Sequence, residues 1–209
     1  MAAKKKSAKS SAGGRTQKKT PEPMEMLHTE LAEIHSAESQ LVKAAPRLSK
    51  AVENETLREM LDRRVEQAEQ LIEDIDGIFE EMGHKMPRKK NVAAEGLLKD
   101  ALQHVQEIQK GPALDATLIG AVQKLEHYCI AAWGTTRAFA QAMGEETTVE
   151  VMQRVLDEGK EMDEELTELA ESEVNPAMLE AGEEGEEMEE EEAPRRRGGR
   201  RGGGEEARA

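Results

Sequence analysis

Aromatic residues are nearly absent from this chain: they form 2% of its 209 residues, as one Trp, one Tyr and two Phe. Without aromatic or β-branched runs there is little to build a large sheet from, and an interior of Leu, Ile, Val, Met and Ala points to packed helices. The single cysteine, Cys129, excludes an intrachain disulfide framework. No apolar run reaches the roughly 18 residues that a membrane-spanning helix needs, and the opening MAAKKKSAKSSAGG lacks the apolar stretch of a secretory signal. The expected location is the cytoplasm, with no membrane partner. Also missing are a Ser/His/Asp set, a phosphate-cradling glycine loop and a thiolate metal site.

Charge, in contrast, is abundant. Charged residues make up 35% of the chain and the formal net charge is -15, but the signs are sorted. Every charged side chain from Lys4 to Lys19 is positive, every one from Glu180 to Glu192 is negative, and PRRRGGRRGGG is basic again. Segments with so few apolar residues cannot offset the entropy of ordering. Residues 1–20 are therefore expected as a disordered basic arm, and 177–209 as a disordered tail, acidic and then Arg/Gly-rich. Lys4, Lys5 and Lys6, with Arg195, Arg196, Arg197, Arg200 and Arg201, are candidates for weak, salt-sensitive contact with nucleic-acid phosphates. No aromatic residue is interleaved for base stacking, and eight glutamates between Glu183 and Glu192 compete for those arginines. The alternative is that the charge blocks confer solubility or attract neighbouring molecules.

Between the tails, residues 21–176 hold four long amphipathic segments. The first carries Leu27, Leu31, Ile34, Leu41, Ala45, Leu48 and Val52 at alternating steps of four and three, which line one helix face. Pro21 and Pro23 introduce it, and Pro46 inside it predicts a kink. The second carries Leu57, Leu61, Ala68, Leu71, Ile75, Ile78 and Met82, with Thr56 as the expected N-cap, Glu59 closing a capping box and Gly83 as the stop. The third runs from about 114 to 143 with Leu118, Val122, Leu125, Cys129, Ala132, Thr136 and Phe139 on one face, and stops at Gly144. The fourth carries Val155, Met162, Leu166 and Leu169. Cys129 and the methionines are read as core filler. The inner connections VENET and AMGEETT are short enough to force antiparallel neighbours, whereas 84–114 is a long crossover with its own short helix near 92–109. Two antiparallel pairs joined by one crossover is the connectivity of a ferritin-like bundle.

Four charged residues interrupt or border the apolar faces. Glu38 stands on the first, Arg64 on the second, Glu126 beside the third and Glu158 beside the fourth. An always-charged guanidinium on a core face is costly to bury unless an anion meets it. The centre of a ferritin-like bundle is also where a carboxylate-bound di-metal site is built.

The chain resembles the YciE/YciF-type ferritin-like family of bacterial stress proteins. The resemblance is carried by LAEIHSAESQLVKAAPRLSKA, FEEMGHK, AEGLLKDA, ATLIGAVQKLEHYCIAAWGTTRAFA, VLDEGKEMDEELTELA and the closing VNPA, spanning about 24–176. It implies a four-helix fold, a homodimer, a stress-associated role and, in some members, a di-metal site. Against the family pattern, Arg64 stands where a His is expected, Gln67 where a Glu is, Cys129 where EHYE would continue, and Gly159 where DEE would end. The matching donors are Glu38, Glu126, His127 and Glu158.

The preferred reading is a core charge cluster of Glu38, Arg64, Gln67, Glu126 and Glu158. In it Arg64 supplies the charge of a lost metal, Gln67 donates through its amide and Gly159 leaves room for the arginine. The chain would then be a non-catalytic structural or interaction module with no cofactor. Alternatives are that Arg64 snorkels to water and the carboxylates are unrelated, or that iron or manganese is held weakly in a working oxidase-type centre. A stress protein that associates with nucleic acid through its tails is the third class.

Overall fold

The computed structural model describes residues 20–192. They form an all-α bundle of six helices: α1 (Pro23–Ala51), α2 (Glu55–Glu81), α3 (Val92–Glu107), α4 (Pro112–Met143), α5 (Glu146–Leu169) and α6 (Asn175–Glu192), with a π-helical turn at Ala170–Val174 joining α5 to α6. The four long helices are α1, α2, α4 and α5. Helix α3 lies within the crossover and packs on α1 and α4, while α2 packs on α1 and α5.

The expected faces are the buried ones on α1, α2 and α5, with Met82 only half-buried. On α4 the face drifts: Trp133 and Ala140 are buried, in place of Ala132 and Phe139, which are half-buried. A straight helix of 3.6 residues per turn gains on a four-three repeat over this length, so a long face rotates out of register. Helix α1 runs without interruption through Pro46. The N-cap of α2 is Asn54, whose side-chain oxygen accepts from Leu57 N at 2.9 Å, and not Thr56. Gly83 and Gly144 take positive φ, 66° and 77°, where α2 and α4 end. Helix α6 runs to Glu192, within the segment expected as a tail from 177. The nucleic-acid candidates Lys4, Lys5, Lys6, Arg195, Arg196, Arg197, Arg200 and Arg201 lie outside the described residues.

Two buried polar residues tie the connections to the bundle. The Asp115 carboxylate, in the first turn of α4, accepts from Glu53 N at 3.0 Å and from Asn54 N at 2.8 Å, which holds the α1–α2 turn. Asn91 caps α3 by accepting from Ala94 N at 2.9 Å, and its amide donates to Glu33 O at 3.1 Å and Tyr128 Oη at 2.6 Å. The crossover is thereby fixed to α1 and α4. Among the described residues no helix is long and apolar enough to cross a membrane.

Candidate functional site: a buried charge cluster

The apolar interior consists of two clusters. Leu61, Leu48 and Val122 belong to one; Ala68, Leu41 and Leu125 belong to the other. Arg64 sits between Leu61 and Ala68 on α2, at the boundary. It is 3% exposed, and Glu38 and Glu126 are 0% exposed. Arg64 Nε donates to Glu126 Oε1 at 2.6 Å. Its Nη2 lies 2.9 Å from Glu38 Oε2, at ion-pair distance but outside hydrogen-bond geometry, so Glu38 Oε1 and Oε2 and Glu126 Oε2 are buried without a hydrogen-bond partner among the described residues. The guanidinium carbon stands 5.5 Å from the centre of the Trp133 ring, a cation–π contact on its other side.

The electrostatics follow from two acids sharing one base. Burial raises the pKa of Glu38 above its ordinary value; Arg64 pulls it back and Glu126 adds to the rise. For Arg64 burial opposes the charge, but Glu126 and then Glu38 outweigh it, so the guanidinium is held more firmly charged than usual. Burial, followed by Glu38, pushes the Cys129 thiol well above its usual range. Its buried surroundings thus disfavour the thiolate, the form in which a cysteine acts as a nucleophile.

The remaining sequence candidates stand elsewhere. Glu158 is 31% exposed and its carboxylate is held by Arg154, one turn earlier on α5, at 3.1 Å. Arg154 also pairs with Asp74 of α2, which ties these helices together at the surface. Gln67 lines a small void with Arg64 and Glu158 but hydrogen-bonds to neither carboxylate of the buried pair. His127 is 67% exposed, its Nε2 3.4 Å from Asp163 Oδ2 across the α4–α5 contact. Consecutive residues on a helix point about 100° apart, so Glu126 inward sends His127 outward. The missing side chain at Gly159 makes room for Trp133 and not directly for Arg64: a β-carbon there would lie 2.4 Å from Trp133 Cζ3. The sequence places Trp133 among the apolar neighbours of Cys129 but gives no signal of its contact with Arg64.

A di-metal centre needs carboxylates and imidazoles from four helices turned to one gap. Here the guanidinium fills the gap between Glu38 and Glu126, Glu158 lies across a small void from it in the hold of Arg154, and His127 faces outward. Among the described residues, no three His, Cys, Asp or Glu side chains are grouped as an ion would require. The residues present do not fit a di-metal group. The two voids beside Arg64 are each about 10 Å³, close to the volume one water occupies.

Residues 22–179 match the family described as a domain of unknown function, DUF892. The chain is 38% identical to protein YciF of Escherichia coli (strain K12) over 146 residues, covering 69% of this chain and 88% of that protein. The crystal structure of the E. coli stress protein YciF superposes with a TM-score of 0.71 at 35% identity, over 75% of this chain and 99% of that one. The YcfI protein of Rhodopseudomonas palustris superposes with a TM-score of 0.67 at 30% identity, over 74% and 97% of the two chains. The chain belongs to the DUF892 family, with YciF among its relatives.

Proposed function

We propose that this protein is a stress-associated structural or interaction module, in which the fixed charge of Arg64 has taken the place of metal ions at the centre of a ferritin-like bundle. The observation that carries this reading is the Arg64 guanidinium between Glu38 and Glu126, with all three side chains shut away from solvent. A permanent cation needs no loading and no open coordination position, and it is redox-inert. The water-sized voids beside it leave no room for an organic substrate. The stress association rests on the description of YciF as a stress protein.

Removing the cation should create a need for another. In Arg64→Ala, two buried carboxylates face each other without compensation, and a divalent ion that binds only the folded state stabilises it by mass action. The test is thermal unfolding of wild type and Arg64→Ala with and without added Mn²⁺, alongside metal analysis of wild type purified without chelator. The expected result is a Mn²⁺-dependent rise in Tm for the variant and none for wild type. About two irons per chain in wild type, with oxidase activity, would overturn the proposal.

A further inference from the structure

Lys43 and Arg47 stand one turn apart on α1, and Lys99 faces them from α3 across an open groove of about 340 Å³. The groove has an apolar floor of Ala44, Leu98 and Leu102. Among the described residues none of the three cations meets a carboxylate at ion-pair distance. The acid that lines the groove, Glu95, is already held by Lys90 at 2.6 Å. Like charges one turn apart on a helix repel. In a chain with 44 acidic and 29 basic residues, three cations left together without partners make an anion-accepting surface.

One segment of the same chain has the matching character. Helix α6 follows the buried Val174, packs on α4 and presents Leu179 at 63% exposure. From Glu180 to Glu192 the sequence holds nine glutamates and no lysine or arginine. The family match ends at residue 179, so this acidic run lies beyond it. We infer that the groove between α1 and α3 receives residues 179–192 of a second copy of this chain, with Leu179 on the apolar floor and the glutamates against Lys43, Arg47 and Lys99. Within one copy α6 packs chiefly on α4 and the π-helical turn and not on the α1 and α3 helices that form the groove, which favours exchange between copies. Each copy gives one segment and takes one, so the exchange closes about a twofold axis. Nucleic-acid phosphate would also meet the three cations, but it has no apolar group for the floor and is repelled by the net charge of -15.

The test uses two full-length variants, K43E/R47E/K99E and E180K/E183K/E184K/E187K/E190K/E191K, in sedimentation velocity at low salt. Wild type is expected to be dimeric and to dissociate as salt is raised. Each variant alone places like charges on groove and segment, and should dimerise at least tenfold more weakly. An equimolar mixture restores opposite charges at both contacts and should return the dimer. Circular dichroism should be the same for wild type and both variants. A monomeric wild type, either variant alone keeping wild-type mass, or a mixture that stays monomeric would each overturn the inference. So would retardation of duplex DNA that depends on the three cations while the mass does not.

Discussion

Gly159 and Trp133 are shaped to each other: a β-carbon on the glycine of α5 would lie 2.4 Å from Cζ3 of the tryptophan on α4, and the ring so admitted passes beside Arg64. The absence of one side chain on α5 thus positions a cation on α2, with an aromatic ring as the go-between.

Gly159→Ala gives this relationship a sign. In an exposed helix interior, replacing Gly with Ala stabilises by about 1 kcal/mol through propensity. Here the added methyl must displace the ring in a packed core, which costs about 1 to 3 kcal/mol. Urea unfolding should report net destabilisation, with a shift in tryptophan emission. A more stable variant would mean that the ring has slack.

Arg64→Ala should destabilise by about 3 to 5 kcal/mol, because it strands two buried carboxylates. Adding Glu38→Gln to it should recover part of that loss, since one of the stranded charges is gone. A double-mutant cycle measured by urea unfolding reads the coupling directly. Strict additivity would mean that Arg64 and Glu38 do not interact.

The buried acid also sets a pH dependence. Glu38 has an ordinary pKa of 4.5 and a higher one in the fold, chiefly through burial. Between those values the folded state binds more protons than the unfolded state, so stability falls as pH rises from about 4.5 through the raised value, and then levels off. Glu38→Gln removes this contribution. Urea unfolding of both proteins between about pH 4.5 and 9 should show the difference, wild type minus variant, declining as pH rises. Parallel curves would place the titration elsewhere.

Asp115→Ala should destabilise by about 1 to 3 kcal/mol, because the amides of Glu53 and Asn54 lose a buried acceptor. Hydrogen exchange in the α1–α2 turn should quicken selectively. Loss confined to the amides of α4 would show that Asp115 acts only within its own helix.

Much of this arrangement was legible in the sequence, for identifiable reasons. The faces of α1, α2 and α5 followed from helical spacing, and Glu38 and Arg64 were conspicuous because charge breaks an apolar repeat. Glu126 was placed beside its face and is buried, since the face of α4 rotates along its 32 residues. Spacing puts Trp133 among apolar residues but cannot show that its ring meets Arg64 of another helix. For Glu158, spacing cannot register Arg154, whose guanidinium holds that carboxylate and also pairs with Asp74. Asp115 reaches the amides of Glu53 and Asn54, and Asn91, besides capping α3, reaches Glu33 O and Tyr128 Oη; no local pattern encodes such distant partners.

The layer of Glu38, Arg64 and Glu126 has a consequence for assembly of the fold itself. Leucine and alanine faces tolerate sliding, because one apolar turn resembles the next. A slip of α2 by one turn, about 5.4 Å along the axis, would carry the guanidinium into hydrocarbon and leave both acids facing hydrocarbon in turn. One ionic rung therefore indexes three helices, like a key cut at a single depth, and mis-stacked bundles lose by electrostatics what they would have tied on greasy contact alone.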